Sequence, residues 1–234
     1  MRRETQNILL VLLGGALLKL ALTGTYLRYV KESLQPWLVG TGAVMVALAL
    51  VSIVRDVRGG LPHHGGHEHG TSRSPWMLLL PVLAVFLISP PALGADTVNR
   101  SDRNAAQESR ASSGFAPLPS DAVVPLTISE FVTRTAWDDS GSLDDRTVEL
   151  TGFVVRKDAD VFIARLTISC CAADASPVKA RMTGQDFAAL PTDQWVRATG
   201  RVVPGSATKE TAFVPTFTVS RVTPIATPED TYEG

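Results

Sequence analysis

Three long apolar runs in the N-terminal hundred residues constrain this chain more than any other feature. "ILLVLLGGALLKLALTGTYLRYV" covers Ile8–Val30, "WLVGTGAVMVALALVSIV" covers Trp37–Val54, and "WMLLLPVLAVFLISPPALGA" covers Trp76–Ala95. A helix needs about 20 mostly apolar residues to cross a hydrocarbon core of about 30 Å. The first run exceeds that length. The second is near the short limit and carries no charge, and the third has Trp76 at its entry and a Pro pair near its exit. Core helices of soluble proteins show a polar face, which these runs lack. Trp37, Trp76 and Tyr26 or Tyr29 suit interfacial anchors. The expectation is three transmembrane helices within residues 1–95, multi-pass in a cell membrane and in contact with the lipid bilayer.

Orientation follows from the flanking charges. Arg2, Arg3, Arg55, Arg58 and Arg73 fall on one side of such a topology, and Arg28, Lys31, Arg100 and Arg103 on the other. The positive-inside rule then places the N-terminus in the cytoplasm, by a margin of one charge. The exit "ISPPALGAD" has the apolar core and small-residue end of an export signal. Both features put everything after Ala95 outside the cytoplasm.

Residues 96–120 are polar, rich in Ser, Arg and Asp, and without periodicity, so they read as a flexible linker. From Asp121 to the end, at residues 121–234, the texture changes to short alternating runs. These are "RTVELTGFVVR" (146–156), "VFIARLTIS" (161–169), "PVKARMTG" (177–184), "QWVRATGRVVP" (194–204) and "FVPTFTVSRVTPI" (213–225). Val, Thr, Ile and Phe dominate them, and Gly, Pro or Asp bound them, as in strands. "SEFVTRTAWD" (129–138) fits a short helix or a further strand. Two runs carry a mid-strand Gly, where a small barrel bends. The expected domain is all-β: an OB-like barrel first, an open β-sandwich second. From Asp121 onward 11 basic residues face 16 acidic ones. A nucleic-acid groove needs a basic track with exposed aromatics, so that partner is excluded.

Chemistry-bearing residues lie in three places. The loop "LPHHGGHEHG" (61–70) holds all four histidines, His63, His64, His67 and His69, with Glu68 among them. Imidazoles on a glycine-rich loop can collect a transition metal such as zinc, or can form a solvated connector. Lys19 sits about 11 residues from either end of the first run, roughly 16 Å from each surface. A charge at mid-bilayer costs about 2.5 kcal/mol or more, and no Asp or Glu lies within the three runs. Lys19 therefore meets a partner in the membrane, or lies in a tilted helix with local thinning. The third place is "ISCCAADAS", where Cys170 and Cys171 are adjacent and Asp174 follows. Neighbouring Cα atoms are about 3.8 Å apart, too close for a relaxed disulfide. If a strand ends there, both thiols and Asp174 can face one soft metal; the other readings are a redox pair and plain packing at a sheet rim.

The N-terminal spans, the His-rich loop, the exit "LISPPALGA" and the C-terminal "ISCCAADASPVKARMTG" and "WVRATGRV" together resemble an uncharacterised bacterial family of predicted permease subunits. The resemblance implies a small membrane protein acting beside a larger multispanning permease. It carries over no catalytic residue. The function expected is thus a non-enzymatic accessory subunit of a membrane permease complex that handles a transition-metal ion. A membrane-anchored thiol redox protein, or a metal chaperone or sensor without a permease, are the alternatives. A redox enzyme is the weaker of these, because "CC" lacks the C-x-x-C spacing and no His follows residue 69 to activate a thiol.

Overall fold

A computed structural model describes residues 3–58, 87, 91–101, 104 and 115–233. The chain divides into two compact units, Met1–Pro91 and Ala92–Gly234.

The first unit is a helical hairpin. Helix α1 spans Arg3–Leu22 and helix α2 spans Gln35–Arg58, with 3-10 turns at Thr25–Arg28 and Glu32–Leu34 between them. Helix α1 stops because Thr23 turns its hydroxyl back to donate to the Lys19 carbonyl at 2.8 Å. Gly24 then takes a left-handed φ of 74°, where a side chain would be strained. The helices meet through small residues. A Cβ on Gly14 would lie 2.9 Å from the Gly42 carbonyl oxygen and from Val46 Cγ2. Heptad-spaced Asn7, Gly14 and Ala21 on α1, and Gly42 and Ala49 on α2, are the buried stripe. Gln35 Nε2 donates to the Ala21 carbonyl at 3.2 Å across the connection.

This hairpin corrects the expectation of three transmembrane helices. Among the described residues one helix, Glu32–Arg58, is long and apolar enough to cross a membrane, and Gln6–Leu22 is a shorter apolar helix. The first apolar run is broken by Thr23 and Gly24, so its length in sequence does not become length of helix. The third run lies outside the described residues apart from Leu87 and residues 91–95, and its last residue, Ala95, opens a helix of the second unit. A multi-pass arrangement loses its basis with the three spans.

The second unit is built on one mixed sheet. Its elements are α3 (Ala95–Asn99), β1 (Val124–Leu126), α4 (Ile128–Trp137), β2 (Val148–Lys157), β3 (Asp160–Thr167), β4 (Ser176–Thr183), β5 (Trp195–Val202), β6 (Thr216–Pro224) and β7 (Tyr232–Glu233). The seven strands run in the order β1-β2-β5-β6-β4-β3-β7, and β2 also pairs with β3. Strand β2 uses Val148–Phe153 against β5 and Phe153–Lys157 against β3, so β2, β3, β4, β6 and β5 form a closed circuit of pairings. Gly152 sits where β2 changes partner. A Cβ there would meet the Ala164 carbonyl at 2.6 Å and Ile128 Cδ1 at 2.7 Å, so only glycine admits both neighbours.

The all-β expectation, OB-like barrel or open β-sandwich, is corrected as well. The sheet is mixed, with β1–β2, β3–β7 and β4–β6 parallel. Helix α4 fills the core with Ile128, Phe131 and Val132 against Val154, Ile163, Val178 and Phe217. The Phe131 and Phe217 rings meet edge-to-face at 5.4 Å. Helix formation there is local chemistry: Thr127 accepts the Glu130 N–H at 3.0 Å as an N-cap, and apolar residues recur at the spacing of a helix face. Alternation in sequence reveals strands, but not the direction in which they pair. A second cluster, with Phe153, Leu166, Ile168, Trp195 and Tyr232, takes in Ala95 and Val98 of α3. Part of the segment read as a linker therefore packs into the second unit.

Replacing Gly152 with Val should lower the unfolding free energy of the second unit by about 1–3 kcal/mol through overpacking. Urea unfolding followed by Trp195 fluorescence measures this, and an unchanged midpoint would refute the assigned role of Gly152.

Candidate metal centre

The β3–β4 connection carries both cysteines, and its two ends are fixed by the sheet. Strand β3 ends at Thr167, held by β7 through the pairs Leu166 with Tyr232 and Thr167 with Glu233. Ile168 is buried and donates its N–H to the Glu233 carbonyl at 3.0 Å. Beneath this lies a buried brace. Arg165 donates to the carbonyls of Tyr232 at 2.8 Å and Asp230 at 3.1 Å. The Glu233 carboxylate accepts the Ile128 and Ser129 N–H groups, both at 2.9 Å, at the start of α4. Burial pushes the Glu233 carboxyl above its usual range despite those two donors.

After Ile168 the chain leaves the sheet, and one carboxylate organises it. Asp174 accepts the N–H of Ser169 at 2.8 Å, of Cys170 at 2.8 Å and of Cys171 at 3.4 Å. In return the Asp174 N–H donates to the Cys171 carbonyl at 3.0 Å, closing the 3-10 turn Ala172–Asp174. Ala172 and Ala175 pack against the second core cluster, which turns the sulfurs outward. Cys170 is exposed and Cys171 half-buried; both are free thiols, with their Sγ atoms 3.6 Å apart. A disulfide needs about 2.05 Å, so the pair is reduced.

The strand break brings Cys170, Cys171 and Asp174 together, with ligand atoms all within 4.8 Å of one another. These donor types suit a soft or borderline metal ion. Asp174 is more than the third ligand that its spacing in sequence suggests, because its carboxylate also shapes the loop. An Asp four residues after Cys170 is the signal for that, since such side chains cap nearby backbone amides. The Arg165–Glu233 brace has no counterpart signal: its partners are far apart in sequence.

Hydrogen bonds to Asp174 and then Cys171 push the Cys170 thiol up to about 11, while the same contact with Cys170 and the amides of Ser169 and Cys170 hold Asp174 at about 2. The anionic carboxylate stabilises the S–H form, so Cys170 is a protonated, weakly nucleophilic thiol at neutral pH.

The other predicted residues do not join this site. His63, His64, His67, His69 and Glu68 lie outside the described residues. Lys19 falls in the last turn of α1, not at mid-span, because α1 ends at Leu22. A cation there complements the helix C-terminus.

An apolar helical hairpin with one candidate span, followed in the chain by a mixed-sheet unit that displays a dithiol loop, defines the class of protein. Residues 5–103 match the DUF1980 N-terminal domain and residues 132–233 match the DUF1980 C-terminal domain, so the chain belongs to the DUF1980 family. No curated protein and no solved structure matches it.

Alkylation of Cys170 by N-ethylmaleimide should climb about tenfold per pH unit from about pH 7 to 10, because the thiolate fraction keeps rising over that range. Asp174→Asn should raise the rate at neutral pH by removing the anion that opposes ionisation. Mass spectrometry of the labelled peptide reads both, and a plateau near the ordinary thiol pKa in the unaltered protein would contradict the assignment.

Proposed function

We propose that this chain is a non-enzymatic accessory subunit of a membrane permease complex, handling a transition-metal ion at Cys170 and Cys171. The observation that carries the reading is the convergence of two reduced thiols and a carboxylate on an exposed loop fixed at both ends. Such a loop can take an ion from solution and present it, whereas a purely structural metal would be enclosed by four protein ligands. Helix Glu32–Arg58 supplies an apolar segment able to hold the chain at the bilayer beside a multispanning permease. The acidic balance of the second unit favours cations over polyanions.

The thiol redox alternative fits less well. A redox-active thiol is activated by a lowered pKa, and the Cys170 thiol is pushed the opposite way. All four histidines precede residue 70, so none lies in the second unit to act as a base.

Full-length protein in mild detergent should bind a soft metal ion, and Cys170→Ser with Cys171→Ser should abolish that uptake. A variant with all four histidines changed to Ala should retain it. Equal uptake by the serine variant would reject the thiol site. A tagged chain purified in mild detergent should retain a multispanning membrane protein as partner, and its recovery alone would sink the subunit assignment.

A further inference from the structure

The loop geometry says more about the ion than the donor types do. This step rests on the metal reading above and specifies which coordination the two sulfurs can accept. The Sγ atoms are 3.6 Å apart. At metal–sulfur bonds of about 2.3 Å that separation subtends an angle of about 103° at the ion, close to the tetrahedral value of about 109°. Two sulfurs bound in a line would have to stand about 4.6 Å apart at the same bond length.

The backbone that carries the two sulfurs is held in place. The Asp174 carboxylate holds the amides of Ser169, Cys170 and Cys171, and the Asp174 N–H donates to the Cys171 carbonyl at 3.0 Å. Ile168 on one side and Ala172 and Ala175 on the other are seated in the core cluster.

We propose that the loop is a preorganised three-donor site for a tetrahedral thiophilic dication of the zinc class, held by Cys170, Cys171 and Asp174. Among the described residues these three form the only such group of ligand atoms, so the fourth position faces solvent and takes water or an exchanging ligand. The incoming ion sheds water molecules, and the two thiols release their protons to solvent as the metal–sulfur bonds form. Asp174 supplies one oxygen while continuing to accept the backbone N–H groups. An open fourth position is the property that lets an ion be exchanged rather than locked in.

The test uses the full chain in detergent, with Co²⁺ as the spectroscopic probe. A 1:1 complex should show the intense d–d bands of tetrahedral cobalt together with thiolate-to-cobalt charge transfer, and one equivalent of Zn²⁺ should erase both. Cys170→Ser and Cys171→Ser should each remove most of the charge-transfer band. Asp174→Asn keeps one of the two acceptor oxygens and should leave the thiols able to bind, but with affinity about tenfold weaker or more. Added imidazole should perturb the cobalt spectrum by entering the open position. If Cu⁺ binds in a two-sulfur linear geometry by X-ray absorption while Co²⁺ and Zn²⁺ do not bind, this proposal falls and the metal reading survives. If none of the three ions binds, both fall.

Discussion

The second unit depends on one strand serving two neighbours. Gly152 lets β2 turn from β5 to β3, with the Ala164 carbonyl and Ile128 pressed into the space a side chain would occupy. That bend closes the circuit of pairings and seats α4 over the core. It also aligns β3 so that its last residues meet β7, which brings Arg165, Glu233 and the start of α4 into one buried set. The thiol loop begins one residue later, from a base with no freedom to wander.

A local constraint then does the rest. Asp174 takes hydrogen bonds from three successive residues and converts what would be a floppy connection into a fixed turn. The same negative charge raises the Cys170 pKa, which suppresses thiolate reactivity in the free protein. In the proposed metal complex a cation would remove that opposition, since it would offset the carboxylate and replace the thiol proton. One residue thus accounts for both the shape of the loop and the quietness of the Cys170 thiol.

How much was legible in the sequence differs by element. The five central strands follow the runs of alternating Val, Thr, Ile and Phe within a few residues at each end, because side-chain alternation is a property of the strand itself. The run 129–138 left helix and strand both open in the sequence, and the structure decides for helix α4, capped by Thr127 at the Glu130 N–H. The short edge strands β1 and β7 were not legible, since three and two residues carry no periodicity. The apolar run Ile8–Val30 misled for a related reason: hydropathy sums over Thr23 and Gly24, while the backbone breaks at them.

By itself the sequence determined that Ile8–Val30 and Trp37–Val54 are apolar runs, that strands follow Asp121, and that two thiols and an Asp stand where β-propensity stops. These are properties of short windows of chain. Only the tertiary structure decided which strands run parallel, that α4 belongs to the core, and that Glu233 braces the end of β3. It also decided the 3.6 Å separation of the sulfurs. Pairing direction and sulfur spacing are set by contacts between residues distant along the chain, and no local pattern encodes those.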